Sequence, residues 1–393
     1  LEWADLASLY LLGVLIADRD NPNLMVIGCY RSNEVNDSHI LTKVLRDLKD
    51  KNEQDGFDVT EITVGSLEIR DTHRMLMALL SADDSRSLSL AKICHKKTDG
   101  NAFFFIHFLS SLHKQRLLSF NLGTFKWSWD ESEIESQMSA TENVVDLMRY
   151  KMNELPDPVI QSLQLAACLG STFDEKTLRL VWDEIRRGKD DIKEDIEHSL
   201  HVSIEEGLLE EVGSASGSYR WVHDKIQEAA FSLVADNELA RLRSQVGDIL
   251  VSQLGERELD GAIFVVVNLL NEGSVTSQGA KRVKLAELNL QAARKATEFS
   301  AFEIAAKYTA KGIEMLPSNH WQDNFELALE LYSTAAEAEG YIGDVEQIEK
   351  HCSEVLDQTK CSLSEKLRVY NGLLDSIAIA TACQKRLTFV WMF

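Results

Sequence analysis

Four residues offer side chains and settings from which chemistry can be argued: Arg31, Asn101, His223 and Asp224. Arg31 ends the apolar run Leu24-Met25-Val26-Ile27-Gly28-Cys29-Tyr30. An arginine at the end of a buried strand can meet a phosphate with two parallel hydrogen bonds, a geometry lysine lacks. From the residue alone, a local ion pair with Glu34 is the favoured reading. His223 and Asp224 sit where Asp224-Lys225-Ile226-Gln227 fits a capping box, with Asp224 at the N-cap and Gln227 at N3. A helix N-terminus offers free N–H groups and the positive end of the helix dipole, so His223 is placed where an anion such as a phosphate is welcome. Helix capping alone also explains the pair. Asn101, after Gly100, suits the N-cap of a following helix. Other chemistries leave no trace. The chain has no G-x-x-x-x-G-K-[ST], no HExxH, no zinc spacing and no G-x-S-x-G. No catalytic residue and no metal ligand is assigned.

Mostly helical elements position these residues. Residues 1–83 read as α/β: a helix from Ala4 to Ala17, the strand Leu24 to Tyr30, a helix from His39 to Leu48, and the alternating run Asp58 to Val64. Asp71 suits the N-cap of a helix over Thr72 to Leu80. Residues 84–155 read as helical with an inserted hairpin. The helix from Ala102 to Leu117 carries Phe103, Phe104, Ile106, Phe108 and Leu109, and Ser119 to Trp129 turns around Asn121 to Thr124. Residues 156–236 alternate helices with two strands, Gly207 to Val212 and Ser218 to Val222, joined by a small polar loop. Helices, a two-strand wing and a further helix make a winged-helix pattern. From 237 to 382 the period is helical throughout. Ala280 to Phe299 pairs with Ala301 to Leu316, and Trp321 to Tyr341 pairs with Val345 to Thr359, a repeat of 41 residues. Small residues (Ala293, Ala305, Ala306, Ala310, Ala335, Ala336, Ala338) alternate with Tyr308, Tyr332 and Tyr341, as in a tetratricopeptide-like solenoid. Residues 383–393 form an apolar, uncapped, atypical tail that reads as truncated.

Composition narrows the function. The 393 residues are 45% hydrophobic and 26% charged, enough for two or three domains. The formal net charge of −22 disfavours nucleic-acid binding, which runs on lysine and arginine neutralising phosphates. Six scattered cysteines without a CxxC pair read as reduced thiols of a cytoplasmic protein. No apolar run is long enough to span a membrane. The four prolines, Pro22, Pro156, Pro158 and Pro317, punctuate helical runs.

Taken in order, these pieces resemble the ATPase module of the STAND class (signal-transduction ATPases with numerous domains), an origin-recognition-like AAA module found in large multidomain serine/threonine and histidine signalling kinases. The matching stretches are Leu1-Glu2-Trp3-Ala4-Asp5, Ile27 to Val35, Lys97-Thr98-Asp99-Gly100-Asn101-Ala102-Phe103-Phe104 and Trp127-Ser128-Trp129-Asp130. Further on they are Asn143 to Met148, Leu165 to Gly170, Glu206 to Leu209, Val222 to Phe231, Ala335 to Ala338 and Gly343-Asp344. The resemblance implies a mostly α chain in five parts. These are the C-terminal part of a P-loop ATPase core (1–83) that starts just after Walker B, a helical lid with a hairpin (84–155), and a winged-helix domain (156–236). Tetratricopeptide-like repeats (237–382) and the tail (383–393) follow. It implies that Arg31 is the sensor-1 arginine, that Asn101 lies where the lid meets the nucleotide, and that His223 and Asp224 hold ADP in a closed state. The chain departs from the family pattern in lacking Walker A and the Walker B acids, in Glu2, and in Ala102, where proline is common. The expected function is an ATP/ADP-switched module regulating a kinase-type output domain, with ATP or ADP and Mg2+ bound by the full-length protein and no cofactor by this stretch alone. Protein partners would dock on the repeats, with no nucleic acid and no membrane. The alternative is a non-catalytic helical-repeat scaffold.

Overall fold

The computed structural model describes residues 1, 4–18, 24–32, 34–55, 58–81, 84–137, 143–187, 195–213, 217–273, 279–358, 362–364, 366, 367, 369 and 370. Glu2, Trp3 and the 383–393 tail lie outside the described residues. The fold is mostly helical. In chain order it runs α1 (Leu6–Ala17), α2 (Ile40–Asp55), α3 (Ile69–Leu80), α4 (Asp84–Thr98), α5 (Ala102–Lys114), the strands β1 (Leu118–Asn121) and β2 (Lys126–Trp129), α6 (Glu131–Gln137), α7 (Val144–Asn153) and α8 (Asp157–Leu169). Then come β3 (Thr172–Asp174), α9 (Glu175–Arg186), α10 (Ile196–Glu205), β4 (Leu209–Glu211), β5 (Ser218–Trp221) and α11 (Asp224–Ser232). Helices complete it: α12 (Asp236–Gln253), α13 (Glu256–Gly273), α14 (Ala280–Glu298), α15 (Phe302–Met315), the single turn α16 (His320–Asp323), α17 (Phe325–Ile342) and α18 (Val345–Leu356). The chain divides into two compact units. One comprises 1–64, 293–310 and the described residues from 328 on; the other comprises 65–292 and 311–327.

In the first unit, Asp5 caps α1, accepting from the Ser8 N–H at 2.7 Å. Leu9 of α1 packs with Leu41, Val44 and Leu48 of α2 in a small buried cluster. The α/β reading of residues 1–83 is not met: among the described residues there is no strand ladder. Leu24 to Tyr30 joins no strand, with Met25 81% and Ile27 78% exposed, and the Cys29 carbonyl accepts from the Leu1 nitrogen at 2.8 Å. Asp58 to Val64 likewise joins no strand. The physical reason is that a strand is made by its neighbours' hydrogen bonds, and an apolar alternation supplies none of them by itself. Asp71 also moves. Helix α3 starts three residues earlier, with Glu68 at its N-cap, which places Asp71 inside the first turn. There its carboxylate still complements the helix dipole.

In the second unit, α5 is the densest element. Phe104, Phe105, Phe108, Leu109 and Leu112 form a buried stripe at helical spacing. The expected hairpin forms, with Leu118 opposite Trp129 and Asn121 opposite Lys126. Oδ1 of Asn121 accepts from the Gly123 and Thr124 N–H groups at 2.8 and 3.1 Å, fixing the turn. The other sheet has the order β3-β5-β4, all antiparallel. β5 takes Phe173 opposite Tyr219 on one side and Glu210 opposite Arg220 on the other, the last two joined by a 2.6 Å ion pair. Asp174, the last residue of β3, caps α9 through the Thr177 N–H at 2.8 Å. Helix α12 packs on α13 at close range because Gly247 and Gly273 leave no side chain between them. A Cβ on Gly273 would lie 2.6 Å from the Ser244 nitrogen.

The later helices fall where the periodicity placed them, apart from the extra turn α16. Their small residues Ala293, Ala305, Ala306, Ala335, Ala336 and Ala338 are buried, with Ala292 and Ala296 besides, as are Tyr308 and Tyr332; Ala310, expected with them, is exposed because it lies on the outer face of α15. Tyr341 departs from the pattern: it stacks on Phe302 with ring centroids 4.0 Å apart, yet is 70% exposed.

Of the cysteines described in full, Cys94, Cys168 and Cys352 are buried and Cys29 is exposed. Burial pushes the Cys168 thiol up to about 12 and the Cys352 thiol up to about 11. Thiolate is the reactive form. A maleimide near neutral pH is therefore expected to modify Cys29 rapidly in the native protein and the other three only after unfolding, read by peptide mass spectrometry. Equal rates for Cys29 and Cys94 would contradict this packing.

Candidate functional site

The N-terminus of α5 is set by two residues. Gly100 has φ of +67°, which turns the chain out of α4, and its carbonyl accepts from the Leu67 N–H at 2.8 Å. Asn101 then caps α5, its Oδ1 accepting from the Phe103 and Phe104 N–H groups at 3.0 and 3.3 Å. The rings that follow form a platform. His223 stacks on Phe103 with centroids 5.8 Å apart and an interplanar angle of 20°, and meets Phe104 edge-on at 4.9 Å.

The capping box expected at Asp224 and Gln227 is not formed. His223, one residue earlier, occupies the N-cap of α11, and Asp224 opens the helix. Gln227 turns away to donate to the Ala167 carbonyl at 3.0 Å, tying α11 to α8. The reason is tertiary: a buried carbonyl at the end of α8 needs a donor more than a half-exposed helix end does. Nδ1 of His223 lies 2.5 Å from Oδ1 of Asp224. The Lys225 N–H is within reach of both, 3.1 Å from Nδ1 and 2.9 Å from Oδ1. A bare lone pair on Nδ1 facing a carboxylate oxygen would be repulsive. We therefore assign the proton to Nδ1, donating to Asp224, and the Lys225 N–H to the carboxylate. Nε2 makes no hydrogen bond among the described residues.

Asn101, His223 and Asp224 are thus brought together around Phe103 and Phe104. Arg31 belongs to the other compact unit, where Nη1 donates to Oε1 of Glu34 at 3.0 Å. The local ion pair is the arrangement found.

One turn along α5 from Phe103 lies a polar cluster the sequence reading did not single out. Lys151 of α7 is buried. Its ammonium donates to the Glu206 carbonyl at 2.5 Å, faces Oε2 of Glu206 at 3.4 Å and donates to Nδ1 of His107 at 3.2 Å. Lys114 of α5 also donates to the Glu206 carboxylate. Burial lowers the Lys151 pKa, with Glu206 opposing. Burial likewise pushes His107 down to about 4, helped by the Lys151 charge and opposed by Glu206. Burial favours the neutral form of Glu206, but the two ammonium groups outweigh it and hold the carboxyl below its ordinary range. His107 is therefore a neutral acceptor for Lys151, with its own proton on Nε2. One sequence signal was available: Lys151 falls on the apolar stripe of α7, four residues after Leu147, where an unpaired lysine would be costly. Among the described residues, no group of three or more His, Cys, Asp or Glu is placed to hold a metal ion, and no helix is long and apolar enough to cross a membrane.

No family model matches the chain. It is similar to the Dictyostelium discoideum protein named hybrid signal transduction histidine kinase G, at 24% identity over 390 residues. The match covers 86% of this chain and 11% of that protein, so the chain spans about a tenth of the length of the relative.

Proposed function

We propose that this chain is a regulatory segment of a multidomain signalling protein, and that its 156–236 region works as a nucleotide-dependent clamp of the STAND type governing a kinase-type output domain. The observation that carries the reading is His223: an imidazole at the N-cap of α11, paired to Asp224 and stacked on the platform that Asn101 initiates. The order α8, β3, α9, α10, β4, β5 with the sheet β3-β5-β4 supports a winged helix in that region. The similarity to a histidine kinase of signal transduction supports the signalling context. The helices from α14 to α18 support a tetratricopeptide-like array that docks protein partners.

The site fits a nucleotide in part. Nε2 of His223 remains available for one phosphate oxygen, which it would meet as an imidazolium balanced by Asp224. The Lys225 N–H is already committed, and the carboxylate at the same helix end repels further negative charge. His223 and Asp224 therefore fit a clamp on the outer face of a phosphate, not a cradle. The nucleotide, with Mg2+ in the full-length protein, would supply a charge that differs between its diphosphate and triphosphate forms. What this chain's residues do is hold or release that charge. A ligand shifts such an equilibrium only by its differential affinity for the two arrangements.

In the full-length protein, His223→Ala is expected to speed release of a fluorescent ADP about tenfold or more, the worth of one charged hydrogen bond. Glu228→Gln, one turn along α11, should leave release unchanged. Unaltered release in His223→Ala, or no nucleotide binding at all, would leave the second reading, a non-catalytic scaffold, which the predominance of helix from α12 to α18 favours.

A further inference from the structure

A closed circuit of contacts joins the buried lysine of α7 to His223. Nζ of Lys151 holds two walls. On α5 it donates to Nδ1 of His107 at 3.2 Å. In the turn between α10 and β4 it donates to the Glu206 carbonyl at 2.5 Å and faces the Glu206 carboxylate at 3.4 Å. From each wall the contacts run on to His223. One turn back along α5 from His107, the Phe103 ring meets the His107 ring edge-on, with centroids 4.5 Å apart, and stacks on the His223 ring at 5.8 Å. Two residues after Glu206, the Leu208 carbonyl accepts from the Val222 N–H at 3.2 Å, and Val222 immediately precedes His223. The imidazole of His223 is thus held by its face through one wall and by its backbone through the other.

The walls meet closely. Gly207 has φ of +68°, and a Cβ there would lie 3.1 Å from Cε1 of His107, so the turn rests against the ring with no side chain between them. Beyond Leu208 the strands continue, with Leu209 opposite Trp221, so the turn and the approach to His223 belong to one ladder. Lys114 reaches the Glu206 carboxylate too, but from the surface. That link joins the ends of two side chains and leaves the backbone of the turn unfixed. Lys151 bonds the backbone carbonyl itself, and its partner on α5 is a neutral acceptor because burial keeps His107 uncharged.

We propose that Lys151 is a positioning residue for His223: by pinning the turn at Glu206 to Leu208 against His107, it sets the register between the His223 ring and Phe103. The importance of His223 rests on the clamp reading, whereas the circuit is testable with no nucleotide present. With the circuit closed, Nε2 of His223 is held in one place. With the Lys151 bonds gone, the turn leaves His107 and carries Val222 with it, and the imidazole slides off Phe103. An ammonium that touches no nucleotide therefore governs how firmly one is held.

The test is proton–carbon NMR of the full chain labelled at histidine, without nucleotide. Phe103→Leu defines the part of the His223 Cε1–H shift that comes from the Phe103 ring. Lys151→Met is expected to lose most of that part while its thermal midpoint stays close to that of the parent. His107→Leu, which opens the circuit on α5 and keeps the Lys151–Glu206 pair, should lose it as well. Two controls should keep it: Lys114→Met, which takes a charge from Glu206 and leaves the circuit closed, and Met152→Leu, a volume-conserving change at the buried neighbour of Lys151. A His223 shift unmoved in both Lys151→Met and His107→Leu, or moved as far in Lys114→Met, would overturn the proposal whether or not a nucleotide binds. In the full-length protein, Lys151→Met and Phe103→Leu should each speed release of a fluorescent ADP about two- to tenfold, the worth of one aromatic stack, and the double variant should be no faster than the faster single one. Additive effects would overturn the circuit. No ADP binding by the parent, together with the shift lost in Lys151→Met, would uphold the positioning role and overturn the clamp reading alone.

Discussion

Replacing Glu206 by alanine should destabilise the region joining α5, α7 and α10 by about 3–5 kcal/mol, the cost of leaving a buried charge without its partner. The carboxylate is shared by Lys114 and Lys151, and Lys151 is the buried member. With Glu206→Ala, Lys151 keeps two neutral acceptors, the residue 206 carbonyl and Nδ1 of His107, but loses the carboxylate it faces at 3.4 Å, with the weaker attraction of Glu154 remaining. Lys114, on the surface, loses little. The converse change differs in kind. Lys151→Met keeps the stem on the apolar stripe of α7 and removes the charge, leaving Glu206 paired with Lys114. It should be near neutral, because an apolar side chain of similar volume often matches or exceeds a buried ion pair in stability. Amide exchange in α5, α7 and α10, read by mass spectrometry, measures the local opening free energy directly. Equal costs for the two substitutions would mean that the pair is not an electrostatic joint.

The same cluster sets an acid response. The folded value for His107 lies at about 4 against an ordinary 6.5. The unfolded chain therefore binds the proton more readily, and stability rises with pH across that window. The contribution is complete above 6.5 and is lost as pH falls from 6.5 towards 4. Glu206, whose folded pKa is also depressed, adds a loss of the same sign in acid. His107→Gln should flatten the slope of local stability between pH 6.5 and 4, leaving only the carboxylate part at the lower end.

Gly100→Ala should cost about 2–5 kcal/mol, from two sources that a second glycine separates. Its φ of +67° strains any L side chain, by about 1–2 kcal/mol. A Cβ there would also lie 2.3 Å from the Leu67 carbonyl oxygen, a backbone atom that cannot step aside, and crowding of that sort adds about 1–3 kcal/mol. Gly213 has a similar φ of +80° with no atom of the described residues within 4 Å of a Cβ. Gly213→Ala should therefore show the backbone cost alone. The difference in thermal midpoint between the two variants isolates the steric contribution. Because Gly100 precedes Asn101, Gly100→Ala should also disturb the Phe103–His223 stack, which His223 ring chemical shifts would report. Equal midpoints would place Leu67 elsewhere than against Gly100.

The sequence alone determined much of the local structure, because local structure is set by side chains within a few residues. The hairpin at Asn121 to Thr124 follows from the ability of Asn121 to bond its own turn. The greasy stripe of α5 follows from five apolar residues at helical spacing, and the cap at Asn101 from a short side chain after a left-handed glycine. From 156 to 236 the helices and the pair β4 and β5 are equally local, but β3, which pairs with β5 across more than forty residues of chain, left no signal that the sequence reading caught. The tertiary structure decided what depends on partners distant in the chain. The run from Leu24 to Tyr30 carries every apolar residue a strand needs, yet forms no ladder among the described residues, since a ladder belongs to two segments. Asp224 and Gln227 carry a capping box in their spacing, yet the carbonyl of Ala167, sixty residues away, takes Gln227 and passes the cap to His223. Lys151, Glu206 and His107 come from three helical regions, and nothing in their spacing announces a meeting. Their charges become a site only because burial removes the water that would otherwise keep each of them apart.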